Sequence, residues 1–479
     1  MILDAYMINR TRFLSDFPRA LSDDCAALFV GAGISAGAGY PAWAKLLHEI
    51  GEELGVRSTD VHDLAALAQW SIRKSNKSRI LQVIKDQIGV DKPVPEVLQI
   101  VARLPIRNIW TTNYDRLIER ALEAIGRPVD VVSAASDLAL RPRPGAVRLF
   151  KMHGSVERPN EIVIATDDYE LYRLKRGAFL PLLQAHMTSL SLLFLGLSFA
   201  DPNIKHVLAL IRESFHETPP QHFAIVRPPQ REDFDSDAEH QARLAQHQYW
   251  AEDLLRYGLH VVEIDSYDEV PKLMHAVERA VAKNKIWISG SWPLEGDPDK
   301  ERYVSQIASA LGAALAEEGF TLVTGAGLRV GSASLSGFLD GLRRTGAWDL
   351  ERRLIARPFP QSPNGEPQPA HWAAIRAELA QLSGAAVIVG GLRAGGQRAD
   401  GVFAECDAAL HAGSLVVPVA CTGGAAAEIA RNFKSSNLST NQGTQQRPTD
   451  AELDALAQED SPDAVAARII EVLKRVLRQ

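Results

Sequence analysis

Short apolar runs alternate along this chain with segments whose apolar residues fall three and four positions apart. Uninterrupted apolar runs suit strands buried on both faces, and the alternation with helical periods is the signature of parallel βαβ units. The runs predict strands at residues 26–30, 108–112, 147–151, 190–195, 222–226 and 260–263. Val270, Leu273, Met274, Val277 and Val281 then share one face of a closing helix over 270–283. A new strand, Ile286-Trp287-Ile288-Ser289, begins at once, so the domain boundary is placed between 1–284 and 285–479. In the second half the pattern predicts strands at 286–289, 321–323, 386–389 and 415–419, with a helix over about 299–318. The charged stretch 231–240 reads as a solvated loop, because so many charges cannot be buried unpaired. The Pro- and Gln-rich stretch 357–371 and the polar stretch 434–449 also read as loops, and no internal repeat is evident.

The chemistry sits in the turns at the strand ends. The first run ends in Gly31-Ala32-Gly33-Ile34-Ser35, where Gly31 and Gly33 let backbone approach a pyrophosphate and Ser35 can cap a helix whose amides face that charge. The next ends in Thr111-Thr112-Asn113-Tyr114-Asp115, the third in Lys151-Met152-His153-Gly154, and a fourth in Gly196-Leu197-Ser198. Such clusters at successive strand ends are expected to line one crevice of a parallel sheet. Asp201-Pro202-Asn203 has the form of a helix start with Pro in the first turn. Trp43 either packs in the core or covers the pocket.

Four predicted strands of the second half also run into glycine or hydroxyl turns: Ser289-Gly290-Ser291, Thr324-Gly325-Ala326-Gly327, Gly390-Gly391-Leu392-Arg393 and Thr422-Gly423-Gly424. This regularity points to a second nucleotide site. Arg376 and Arg393 are candidate phosphate clamps, since guanidinium forks match phosphate oxygens; for Arg376 a helix-surface salt bridge is the competing role.

Composition trims the options. At 479 residues, 46% apolar and 23% charged, the chain can bury more than one core. A net charge of −7 argues against a general nucleic-acid binder, which needs a basic face to neutralise phosphates. Cys25, Cys406 and Cys421 are scattered and form no paired metal motif, so no metal is expected. No apolar run approaches the roughly 20 residues of a spanning helix, and Asp4, Asn9 and Arg10 interrupt the leading segment, so a cytoplasmic protein is expected.

The Gly-Ala-Gly-Ile-Ser loop, the Thr-x-Asn-x-Asp motif, His153-Gly154 and Gly196-Leu197-Ser198 together resemble the sirtuin family over roughly the first 280 residues. The resemblance implies a Rossmann-type parallel sheet, NAD as the ligand and cleavage of its nicotinamide–ribose bond. Sirtuin deacylases carry a zinc module with two Cys-x-x-Cys pairs, which this chain lacks, so deacylation is demoted. Over about 285–435 the glycine turns resemble the SLOG superfamily of nucleotide-sensing Rossmann-like domains. Glu405 sits where enzymatic members have Gly-Thr-x-x-Glu, but Val402 replaces the Thr and no proline precedes Gly390-Gly391, which favours binding without turnover. The order of the two modules resembles the Thoeris antiphage effectors. That resemblance implies a partner TIR-domain enzyme making a cyclic ADP-ribose isomer, a SLOG module that binds it, and a homo-oligomer, plausibly a tetramer, that then depletes NAD.

Residue roles come from the resemblance and from side-chain chemistry. Asn113 orients the attacking water or the ribose hydroxyls, and His153 is the general base toward one or the other. Asp115 either caps the next helix or touches the nicotinamide ribose. Gly31, Ala32, Gly33, Ser35, Asp115, Gly196 and Ser198 are the candidate NAD-binding positions. Ser289, Gly290, Ser291, Gly325, Gly327, Arg376, Arg393 and Glu405 are the candidate effector-binding positions. The resulting reading is an α/β NAD hydrolase switched by a cyclic nucleotide. A sirtuin-type ADP-ribosyltransferase or deacylase and a non-catalytic nucleotide-binding scaffold stay open beside it.

Overall fold

Among the described residues, twelve strands form two sheets in which every pairing is parallel. The computed structural model describes residues 2–199, 201–215, 219–293, 297–347, 349–360, 369–393, 396–435, 447–458 and 461–478, with side chains from Asn9 onward. The chain divides into two units, Met1–Glu278 and Arg279–Gln479.

The first unit holds β1 (Ala26–Val30), β2 (Asn108–Thr111), β3 (Val129–Val132), β4 (Val147–Lys151), β5 (Ser191–Leu195), β6 (His222–Val226) and β7 (Leu259–Glu263). They lie in the order β3-β4-β2-β1-β5-β6-β7. The chain therefore winds outward from β1 to one side and returns across β1 to begin β5 on the other, which makes the carboxyl ends around β1 a topological switch point. All of β1 is buried, as a central parallel strand covered on both faces requires.

Register is fixed by a row of aromatic rings. Phe150 pairs with Trp110, Trp110 with Phe29, and Phe29 with Phe194 across four neighbouring strands. Trp110 stacks on Phe150 with centroids 4.3 Å apart, and Phe29 on Phe194 at 5.5 Å. The indole N–H of Trp110 donates to His186 Nδ1 at 3.0 Å, so the buried ring has its polar atom satisfied. Burial pushes His186 down to about 4, so that nitrogen is an acceptor at neutral pH.

The second unit holds β8 (Lys285–Ser291), β9 (Thr321–Thr324), β10 (Leu354–Ala356), β11 (Ala385–Gly390) and β12 (Leu415–Val419), in the order β10-β9-β8-β11-β12. Its switch point lies between β8 and β11. Apolar cores fill both faces, one around Leu311, Phe320 and Val387 and the other around Trp287, Ile388 and Val402. Both units thus have the parallel α/β architecture read from the sequence. Among the described residues no helix is long and apolar enough to cross a membrane.

Several expectations need correction. The edge strands β3 and β10 escaped the apolar pattern, because both are short and only partly buried. The stretch 231–240 is exposed as expected but is not a loop throughout, since Asp237–Leu255 is a helix whose first turn is capped by Ser236 accepting from Glu239 N. Within 357–371, Pro369 begins the helix Pro369–Leu382, and 361–368 lie outside the described residues. Within 434–449, Lys434 and Ser435 end the helix Gly424–Ser435, and 436–446 lie outside the described residues.

The aromatic row yields a stability prediction. Trp110→Ala removes the stacked partner of Phe150 and leaves a cavity, and is expected to cost the first unit about 3–5 kcal/mol. Urea unfolding monitored by far-UV circular dichroism measures this. A loss under about 1 kcal/mol would mean that the row does not hold the register.

Candidate functional site

The aromatic row brings four strand ends level. Two residues beyond Phe29 is Gly31, three beyond Trp110 is Asn113, three beyond Phe150 is His153, and two beyond Phe194 is Gly196. All four motifs of the first half therefore meet at one end of the sheet.

The loops after β1 and β5 are zipped together. Gly31 N donates to Leu195 O at 2.8 Å and Gly33 N to Gly196 O at 2.9 Å, prolonging the strand ladder past its end. A Cβ at Gly31 would lie 2.4 Å from Gly196 O, and one at Gly196 2.7 Å from Ile34 N. Gly196 also has φ +64°, which L side chains rarely adopt. The immediate cause of these glycines is contact between backbones. The helix Ala32–Gly37 starts at the N-cap Gly31, so Ser35 lies inside it and is not the cap expected of it. Ala32, Gly33 and Ser198 are exposed.

Ser35 instead joins a buried polar network. Its hydroxyl donates to Asp115 Oδ2 at 2.6 Å and accepts from Asn113 Nδ2 at 2.8 Å, while the same amide donates to Gly31 O at 3.0 Å. With its nitrogen fixed on two acceptors, Asn113 must turn Oδ1 the other way, and that oxygen is buried without a hydrogen-bond partner. Asp115 Oδ1 accepts from Leu117 N at 2.9 Å, so one carboxylate both steadies the next helix and anchors Ser35. Lys151 is 1% exposed and pairs with Glu119 at 2.7 Å, while also donating to the carbonyl of Asp115. Burial raises the Glu119 carboxyl against the downward pull of Lys151.

His153 is buried, and Nε2 lies 3.1 Å from Asp201 Oδ2, close enough for an ion pair but off the line of a straight hydrogen bond. The ring meets Tyr169 edge-on, with centroids 5.5 Å apart. Asp201 caps the helix Pro202–Ser214 as its sequence suggested, but its contact with His153 was not foreseen. Asn203, in the same first turn, is buried with Nδ2 unpartnered. Trp43 is half-buried at the start of the short helix Trp43–Leu46.

In the second unit the structure gathers part of the expected set. The Ser289 hydroxyl donates to Glu405 Oε2, and Arg376 Nε lies 3.9 Å from the other carboxylate oxygen. Arg376 is largely buried against Glu405 of another helix, so the helix-surface salt bridge considered for it is not what forms. Its guanidinium lies 5.4 Å from the Phe359 ring and 5.9 Å from that of Trp372. Phe359 also covers Gly325, where a Cβ would come within 2.6 Å of the ring. Neither aromatic was singled out in the sequence: Phe359 stands in the Pro- and Gln-rich stretch, and Trp372 lies just beyond it on the helix Pro369–Leu382. Ser291 donates to Leu392 O at 3.3 Å, and Gly290 packs against Val389 O, so both serve the closure of β8 on β11. Gly327 is exposed, and Arg393 is exposed on a turn closed by the Leu392–Arg398 bridge. Burial pushes Glu405 up to about 7, against the downward pull of Ser289 and Arg376.

Residues 107–255 match the SIR2-like domain family, and residues 269–476 match the Sir2- and TIR-associating SLOG family. The chain is 33% identical over 416 residues to the NAD(+) hydrolase ThsA of Bacillus cereus (strain MSX-D12), covering 86% of this chain and 87% of that one. It is 33% identical over 431 residues to the protein of the same name from Cytobacillus dafuensis, covering 88% and 87%. A third, from Acinetobacter baumannii (strain 532279), is 30% identical over 428 residues, covering 86% and 87%.

Glu405 yields a pH prediction. Below its ordinary 4.5 the group is protonated in both folded and unfolded chains and contributes nothing; between 4.5 and about 7 only the folded chain binds the proton, so stability falls as pH rises. Glu405→Gln should remove this slope, stabilising the second unit at pH 8 by on the order of 2–3 kcal/mol relative to pH 4.5. Thermal melts of both proteins across pH 4.5–8 measure it. Parallel profiles would show that Glu405 is ionised at no extra cost.

Proposed function

The chain belongs to the ThsA family, and from that premise we propose that its first unit hydrolyses NAD to nicotinamide and ADP-ribose. The observation that carries the reading is Asn113, whose amide nitrogen is locked on Gly31 O and Ser35 Oγ and whose buried oxygen is left as an open acceptor. An acceptor held in place at a strand end can orient a water or a ribose hydroxyl before reaction, which lowers the entropic barrier. Cleavage passes through an oxocarbenium-like state, and His153 takes the proton of the attacking water or of a ribose hydroxyl. The loops carrying Gly31, Ala32, Gly33, Ser35, Asp115, Gly196 and Ser198 form the NAD-binding wall. No residue of this scheme calls for a metal.

The second unit is the sensor in this proposal. Ser289, Arg376 and Glu405, with Gly325 under Phe359, offer donors, an acceptor and aromatic faces suited to a nucleotide, while Gly290 and Ser291 end β8, and Gly327 and Arg393 lie three residues past the ends of β9 and β11. The ligand is a cyclic ADP-ribose isomer supplied by a TIR-domain partner, and the outcome is depletion of cytoplasmic NAD in antiphage defence. Moving a mostly inactive population to a mostly active one requires roughly 10⁴-fold preferential binding to the active arrangement, which a homo-oligomer such as a tetramer can couple to subunit packing.

Nicotinamide release by the purified full-length chain, with and without cyclic ADP-ribose isomers, tests both halves. Release that rises with one isomer is expected, and Asn113→Ala and His153→Ala should each lower it by about 10²- to 10⁴-fold in folded protein. NAD binding without release would favour the scaffold. Release only with a protein acceptor, which becomes modified, would favour the transferase.

A further inference from the structure

Asp201 divides its two carboxylate oxygens between two tasks. Oδ1 accepts from the amides of Asn203 at 2.8 Å and Ile204 at 3.2 Å, which fixes the carboxylate on the helix start. Oδ2 faces His153 Nε2 at 3.1 Å, with side-chain exposures of only 12% and 7% for the two residues. A cap alone does not require this, since a helix N-cap works as well in solvent, whereas enclosing a carboxylate carries a desolvation cost unless a partner offsets it. The approach to Asp201 is strained as well. Phe199 is a non-glycine residue at φ +57°, held there by burial between Phe194 and Trp250 with centroids 5.1 and 6.1 Å away. Such strain persists where the surrounding packing over-determines the backbone, and it gathers at functional sites.

We propose that Asp201 is the positioning residue of His153, an inference that rests on the NAD-hydrolase reading. By accepting from Nε2–H it selects the tautomer whose lone pair is on Nδ1, and it stabilises the imidazolium formed in the reaction. The bond between the anomeric carbon and the pyridinium nitrogen breaks, and its electron pair leaves with neutral nicotinamide. The water oxygen bonds to the anomeric carbon, and the proton it loses passes to His153 and then to solvent. Burial raises the Asp201 carboxyl, but the His153 contact and the two amides outweigh it and hold the group below the ordinary carboxylate value. Tyr169, beside His153, has its phenol pushed upward by burial and by Asp201, so it stays neutral and Asp201 is the anion the imidazole meets. The 3.1 Å approach lies off the line of a straight hydrogen bond, and catalytic hydrogen bonds of this kind tighten as the transition state forms.

The test measures nicotinamide release from NAD by the full-length chain under the conditions of greatest wild-type activity. Asn is as good an N-cap as Asp, so Asp201→Asn keeps the helix start and removes the charge; Asp201→Ser, also a capping residue, is the second variant should the first fail to fold. The expected result is a kcat at least about 30-fold lower with KM within about threefold, because the lost interaction matters most in the transition state. In a His153→Ala background the Asp201→Asn change should have no further effect, since there is no imidazole left to position. A merely structural role would slow both backgrounds equally and would overturn the inference, as would a kcat within threefold of wild type. These outcomes are separable from failure of the parent reading, in which wild type itself releases no nicotinamide or His153→Ala is as active as wild type.

Discussion

The first unit depends on one registered row of rings, Phe150, Trp110, Phe29 and Phe194, laid across four adjacent parallel strands. Side chains in a strand alternate between faces, so a slip of one residue in any of these strands would move its ring to the other side of the sheet and out of the stack. The same slip would carry its terminal loop about 3.3 Å along the strand axis. Because Gly31, Asn113, His153 and Gly196 each stand two or three residues past a ring of this row, the packing that holds the register also sets the level of the polar groups. A dry, rigid requirement of folding thus places the chemistry, and the site needs no separate scaffold.

Past the strand ends, order is kept by backbone and by buried charge. The zipping of Gly31 and Gly33 onto Leu195 and Gly196 leaves room for no side chain between the loops. Asn113, Ser35 and Asp115 then hang from that closure through short hydrogen bonds. Lys151 and Glu119 lie behind them, fully enclosed. A buried pair is poor evidence for stability, because desolvating two ions offsets much of their attraction. Its effect here is directional: Lys151 holds the Asp115 carbonyl and so fixes the turn that aims Asn113.

What could be read from sequence and what could not divides along physical lines. Strands such as β1, β4 and β12 are almost wholly buried, the last even at the edge of its sheet, so their apolar runs declare them and even their ends are legible. Edge strands such as β3 and β10 are half-covered and short, and leave no comparable trace. The helix starting at Asp237 did carry a local signal, Ser236 with Glu239 three residues later, which the density of charge obscured. At the site, motif residues on strand ends were identifiable because topology alone brings them together. The partner of His153 was not, since Asp201 announces itself as an ordinary helix start and its second oxygen finds the imidazole only through tertiary packing. Ser35 was misread for the same reason: its local context offers a cap, and the fold offers it Asn113 and Asp115 instead.

The two units meet the cost of buried charge differently. Around His153, two amides and the nearby imidazole hold Asp201 below the ordinary carboxylate value, and Asp115 accepts from a hydroxyl and an amide. Glu405 has one hydroxyl and a guanidinium 3.9 Å away, and its pKa is pushed up to about 7, the neighbourhood in which a small change in surroundings decides its charge. A catalytic site needs groups whose states are settled before substrate arrives. In the sensor proposed for the second unit, a group near balance would let a ligand that supplies or withdraws one donor change both the charge at Glu405 and the packing of Arg376 against Phe359 and Trp372. The fold thus supplies the two carboxylates with donors unequally: Asp201 has two amides and an imidazole close by, and Glu405 has one hydroxyl.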